Sequence, residues 1–271
     1  MAVITCAEMV AQCLEGQEAG WRHFIAAYLP FSAAVVDRRF PQLGERREAA
    51  LREALRRAAA HEAQFLRDYA GHSEREFLLH LREHTIRVAG EQPLPGAEGA
   101  PEIPLEWEVF EKALAGLTAL ERQIVWLFVL SPNSGDTDKI LRLDPPSVAA
   151  DLAKAQEALR TACDRWSAEM LAENRQRLTQ EARAHHTSDC PAPKAFLRLL
   201  DGQISWRDRS DLEHHMAACW HCVDLLCRFR EIMFLSRQTK PFPETETEAY
   251  LKLLDLQTAR PSGWKRLLGK R

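Results

Sequence analysis

Residues 190–222 read CPAPKAFLRLLDGQISWRDRSDLEHHMAACWHC, and four side chains in that stretch set the organisation of the chain. His215, Cys219 and Cys222 form a His-x3-Cys-x2-Cys run, and Cys190 lies upstream of it. Zn²⁺ takes four soft or borderline ligands at tetrahedral corners, and three cysteines with one histidine close such a site. A His and a Cys four apart share one helical face, and the Cys-x2-Cys step carries the second thiolate round beside the first. Cys190 reaches them if 192–201 forms a helix that folds back, with Leu197, Leu199 and Leu200 as its apolar face and Gly202 as its C-cap. The bland alternative is four ordinary residues of a helical core, since free Cys buries like a small hydrophobe. The spacing favours the metal: one Zn²⁺, structural or redox-sensing, on Cys190, His215, Cys219 and Cys222. His185 and His186 stand just upstream, and either could replace Cys190 as the fourth ligand; a solvated pair is the plainer reading of both.

The Cys190 start, LLDG at 199–202, and LEHH at 212–215 running into Cys219 and Cys222 together resemble the zinc-binding anti-sigma domain. That resemblance spans 186–236. It implies a small helical domain that holds one zinc and silences an RNA polymerase sigma factor.

Length and composition agree with a helical reading. The chain has 271 residues, room for one to three domains with modest cores. Leu, Ala, Glu and Arg abound while Gly (12) and Tyr (3) are sparse, which favours an all-α protein. The longest apolar run, IVWLFVL at 124–130, falls far short of the ~20 residues of a spanning helix, and no basic-then-apolar leader opens the sequence. Seven cysteines are an odd count with a metal-type spacing, so thiols in a reducing cytoplasm are expected rather than disulfides. Net charge is −3 overall, but residues 91–160 alone sum to −6 and 261–271 to +4. No phosphate loop, His-Glu-x-x-His or nucleophile elbow is present, and His61 beside Glu62 reads as a helix-surface pair. Nothing marks an enzyme.

Taken in order, 6–40 carries apolar positions at helical spacing, including Trp21, Phe24, Ile25, Tyr28 and Leu29, with Pro30 placed to split the helix. A long helix is expected from Glu45 to Tyr69, with Leu51, Leu55, Phe65 and Leu66 for packing. A second follows at 73–88, opened by a Ser73–Glu76 capping box. CLEGQEAGW at 13–21, followed by FIAAYLP at 24–30, resembles the opening of region 2 in extracytoplasmic-function sigma factors. Phe77 and Leu81 match that family's promoter-opening phrase, while His80 stands where it has a tryptophan. Residues 91–105 hold four of the fourteen prolines and read as a linker.

After the linker, ALAGLTALERQIVWL at 113–127 resembles the start of sigma region 4, with Thr118 and Glu121 as a capping box. A breaker at 131–135 precedes a short helix at 137–143 and a turn at 144–146. One long helix is then expected from about 146 to 178. Short helix, tight turn and longer helix is helix-turn-helix order. Ser147, Lys154 and Arg160 are the candidate DNA contacts, opposed by Asp151 and Glu157. Residues 179–189 read as a polar joint. The zinc domain should pack on Trp206, Leu212 and Met216, with a last helix at about 219–236. On that helix Val223, Leu226, Phe229 and Met233 form a candidate partner-binding face, and Cys227 reads as a core thiol, as do Cys6, Cys13 and Cys163. The tail carries an acidic stretch at 243–249, the apolar YLKLLDL and the basic SGWKRLLGKR, whose docking on a membrane is no better founded than on a partner.

The expected organisation is therefore 1–90 region 2-like, 91–105 linker, 106–180 region 4-like helix-turn-helix, 186–236 zinc module and 237–271 tail. The resemblance implies a cytoplasmic sigma-factor-like regulator of transcription initiation, restrained by its own zinc domain. Its partners would be core RNA polymerase or a sigma factor, with promoter DNA a weak further possibility. The rival is a degenerate sigma-like scaffold or anti-sigma factor that acts only through protein contacts.

Overall fold

The computed structural model describes residues 4–69, 73–92, 105–131, 135–163 and 167–254. All regular structure there is helical, in fourteen α-helices and one 3-10 segment. Most of the expected linker, residues 132–134 of the breaker, the basic tail beyond 254 and the His61–Glu62 side chains lie outside the described residues. The chain divides into two compact units, 1–96 with 235–271, and 97–234.

In the first unit, α1 (Cys6–Leu14) opens on a Thr5–Glu8 capping box and packs against α2 (Glu18–Ala27). The two approach so closely at Gly20 that a Cβ there would sit 2.6 Å from Gln12 Cβ and 2.7 Å from the Cys13 nitrogen. Only glycine fits. The helix breaks at Tyr28, and α3 (Leu29–Arg39) restarts with Pro30 in its first turn, as the missing N–H of proline allows. A 3-10 segment (Pro41–Arg46) leads into α4 (Arg47–Arg67), and α5 (Glu74–Gly90) begins on the expected Ser73–Glu76 box. Trp21, Phe24, Tyr28, Phe65 and Phe77 are buried together, largely edge to face. His80 stacks on Phe65 with centroids 4.6 Å apart and places Nε2 2.8 Å from the Phe65 carbonyl.

Part of the tail belongs to this unit as structure. α14 (Glu244–Leu251) packs on α2: the Phe242 N–H donates to Ala26 O at 2.9 Å, and Arg22 pairs with both Glu244 and Glu248. Tyr250 stacks on Phe242 and donates its hydroxyl to Glu48 at 2.8 Å. Thr247, Tyr250 and Leu251 are buried because the period of that short run puts them on one face.

In the second unit, α6 (Trp107–Ala113) precedes α7 (Ala119–Leu130), which starts on the expected Thr118–Glu121 box. Ile124, Trp126, Leu127 and Val129 of α7 are all fully buried, so beyond the exposed Leu120 of its first turn the helix is covered on every side. α8 (Thr137–Leu141) ends at Arg142 in the left-handed conformation, φ 58°. α9 (Pro145–Ala162) follows, its first N–H, that of Ser147, met by the Asp144 carboxylate. The single helix expected over 146–178 is two. The chain turns extended at Cys163, and Ser167 caps a new helix, α10 (Ala168–Ala184), by accepting the Met170 N–H. The joint expected at 179–189 is accordingly helical as far as 184.

Then come α11 (Pro193–Leu200), α12 (Trp206–Met216) and α13 (Trp220–Gln238). Gly202 takes φ 69° just after α11, the left-handed stop expected of it. Leu212 and Met216 are buried as expected, but Trp206 is 84% exposed. It is the first residue of its helix and lies off the face that Leu212 and Met216 bury. No helix among the described residues is long and apolar enough to cross a membrane.

Candidate metal centre

The fold brings the four sequence-predicted ligands together. Gly202 turns the chain after α11, the Ser205-capped α12 carries His215 in its last turn, and α13 starts between Cys219 and Cys222. The donor atoms of Cys190, His215, Cys219 and Cys222 lie within 4.8 Å of one another. Cys190 Sγ and Cys219 Sγ are 3.7 Å apart, and His215 Nε2 is 3.1 Å from Cys222 Sγ. With Zn–S bonds of about 2.3 Å, the edge of a tetrahedron of sulfurs is ~3.8 Å. The separations and the donor chemistry fit one tetrahedral ion. The cluster could therefore bind one metal ion such as zinc.

The electrostatics favour a cation. Hydrogen bonding from Cys222, through its thiol and then its backbone N–H, outweighs burial and holds the Cys219 pKa down at about 4; Cys190 and His215 act in the same direction. Cys222 is pushed the opposite way by that contact and by its burial. A thiol binds a divalent ion as the thiolate, so metal binding here would release thiol protons. Cys190 also receives the Thr187 N–H at 3.4 Å, which fixes the sulfur at the mouth of α11.

Beneath the cluster lies a support that sequence reasoning missed. Trp220, between two of the ligands, packs among Trp107, Phe110 and Trp126, with Arg122 4.6 Å over its ring. Asp224, wholly buried on α13, accepts the Trp126 Nε1–H at 2.9 Å and lies 3.3 Å from Arg183 of α10. Cys227 is buried with Sγ 3.7 Å from Gln123 O and outside the ligand cluster, a core thiol as read. The available signal was an aspartate inside an otherwise apolar helical stretch; its partners, 98 and 41 residues away in the chain, were not readable.

The remaining site residues fall as follows. His185 packs at a tilt against Trp107, with centroids 5.0 Å apart, and contacts the Glu181 carbonyl, whereas His186 faces His221. Ser147 and Arg160 are exposed on α9; Ser147 hydrogen-bonds Asp144, and Arg160 pairs with Glu157. Lys154, also exposed, pairs with Glu121 at the start of α7. Val223, Leu226 and Phe229 are buried and Met233 is half-buried, so the first three are core here rather than an open docking face. Comparison of the chain with models of known protein families, with curated proteins and with solved structures finds no match.

Proposed function

We propose that the chain is a sigma-factor-like regulator of transcription initiation restrained by its own zinc module, in which Cys190, His215, Cys219 and Cys222 hold a structural Zn²⁺. One observation carries the reading: α8, left-handed Arg142 and Asp144-capped α9 stand in helix-turn-helix order, and the thiol–imidazole cluster follows in the same unit. Four protein ligands leave no position for water, so the ion would support shape rather than chemistry. Restraint is supported by the way α13 ties itself to α7 through Asp224–Trp126 and Cys227–Gln123. Such a tethered contact works at an effective concentration on the order of millimolar.

A second reading has its own observation. Lys154 and Arg160 of α9 are each paired with a carboxylate, in a segment of net charge −6. That favours a sigma-like scaffold or anti-sigma factor acting through protein contacts alone. Affinity purification of the tagged full chain against core polymerase and against free sigma factors separates the two. Capture of core polymerase supports the first reading, capture of a sigma factor alone supports the second, and capture of neither defeats both.

A further inference from the structure

Cys190 belongs to two clusters at once. Besides the set already described, its sulfur groups with a ring nitrogen of His186 and one of His221, the three donor atoms lying within 4.8 Å of one another. The two imidazoles meet edge to face, with centroids 4.8 Å apart and planes at 75°. His221 is oriented from behind: its Nδ1 lies 3.2 Å from the Arg183 carbonyl, a contact that calls for a proton on Nδ1 and leaves the Nε2 lone pair for a cation. Metal-binding histidines almost always donate their other ring N–H in this way, to a carboxylate, a backbone carbonyl or water.

We propose that His186 and His221, with the Cys190 sulfur as a bridge, form a second metal position for a divalent ion of the zinc class, beside the first. The charges call for it. Three thiolates and a neutral imidazole around one divalent ion leave a net negative charge, and the two imidazoles stand against that charge. Nitrogen and sulfur donors without carboxylates exclude magnesium and calcium and suit zinc. The two positions differ in kind. The first is closed by four protein ligands and includes the buried Cys222. The second has three, with His186 exposed and His221 half-buried, so a water or small anion completes it and its ion exchanges readily. The second position is thus an entry and sensing point: its occupancy follows free metal while the first ion stays bound. This inference rests on the metal-centre reading but not on any role in transcription.

The test equilibrates the full-length reduced chain against buffered Zn²⁺ at rising free concentration and measures bound metal per chain. The wild type should pass from one ion to two. His186→Ala and His221→Ala should each stop at one with unchanged helical circular dichroism. Loading with ¹¹³Cd should give two resonances with scalar coupling through the shared sulfur. Saturation of the wild type at one ion would overturn the second position and leave the first standing; saturation at none would overturn both. Two ions persisting in the double His186→Ala/His221→Ala variant, or two uncoupled cadmium signals, would also overturn it. Should His221→Ala lose the first ion as well, His186→Ala decides, because His186 is exposed and its removal leaves the core intact.

Discussion

Asp224 is where a small substitution should cost the second unit most. Its carboxylate is fully buried. One oxygen accepts the Trp126 indole N–H at 2.9 Å; the other lies 2.8 Å from Arg228 Nε and 3.3 Å from Arg183 Nε. The Arg228 nitrogen is near enough for an ion pair but makes no aligned hydrogen bond there. Removing one member of a buried charged pair costs about 3–5 kcal/mol, chiefly by stranding the other charge. An indole N–H left unmet accounts for about 1–3 kcal/mol within that total. Arg183 is 37% exposed and keeps access to water, so its share is about 0–1 kcal/mol. Asp224→Ala should therefore destabilise the unit by about 3–5 kcal/mol, and Asp224→Asn, which keeps an acceptor for Trp126, by about 2–3 kcal/mol.

The assay is urea unfolding of the full chain at fixed free zinc, followed by near-ultraviolet circular dichroism of the Trp107, Trp126 and Trp220 cluster. Trp126→Phe removes the donor from the other side. Combined with Asp224→Ala, it should fall short of additivity by about 1 kcal/mol, because the two side chains share one bond. An Asp224→Ala variant within about 1 kcal/mol of wild type, the range of a surface pair, would refute the buried-clamp argument, and so would full additivity.

Four further outcomes are expected. Cys219→Ser should abolish stoichiometric metal; since structural zinc supplies about 10–16 kcal/mol to small domains, residues 190–222 should then unfold, seen as lost amide protection there with the first unit's retained. His84 is buried, its Nε2 2.9 Å from Ala54 O and its Nδ1 accepting from Arg87; burial, more than the cation, lowers its pKa from the usual 6.5 to about 4. A histidine kept neutral in the fold leaves stability whole above pH 6.5 and removes up to about 3 kcal/mol as pH falls towards 4, so His84→Gln should flatten that part of the urea-midpoint profile. Tyr250→Ala should loosen the hold of α14 on α4 and speed hydrogen exchange across 244–251 without altering bound metal, because the Phe242 stack and the Glu48 bond go together. Asp151→Arg should strengthen non-specific duplex binding by the full chain and steepen its salt dependence; an unchanged salt slope would place residue 151 away from any DNA.

What could be read from the sequence was what neighbours decide. The Ser73–Glu76 and Thr118–Glu121 boxes, the split at Pro30, the left-handed Gly202 and the His215–Cys219–Cys222 spacing all rest on contacts made within a few residues or at one helical period, whereas Cys190, 29 residues before Cys219, joined them through the expected fold-back of α11. The break at Cys163 was passed over because no proline or glycine marks residues 160–170, although Thr161, Cys163, Asp164 and Ser167 are weak helix formers and Ser167 is an N-cap type. Trp206 was misplaced because size suggests burial, while its position at the start of α12 decides exposure. Val223, Leu226 and Phe229 looked like a free apolar face because their helix docks on α7, 98 and 104 residues away at Asp224–Trp126 and Cys227–Gln123. The same blindness hid Asp224, whose partners come from two other helices, and the join of His186 to His221.

The paired cations of α9 and the negative charge around them weigh differently on DNA binding. Lys154 is exposed and its bond to Glu121 is a solvent-facing one, which salt screens and a phosphate could displace. Glu121 would lose little, because its other oxygen still serves the Thr118 N–H at the start of α7. The pairing is thus a weak obstacle. The −6 of residues 91–160 is the stronger one. Affinity for duplex DNA grows with each phosphate neutralised, and two cations flanked by Asp151 and Glu157 neutralise few. On the proposed reading, a helix so charged gains no non-specific hold from which to search, so promoter contact would depend on polymerase to bring the DNA to it. That ordering makes the polymerase interaction, rather than DNA affinity, the quantity that separates a working sigma-like regulator from a scaffold.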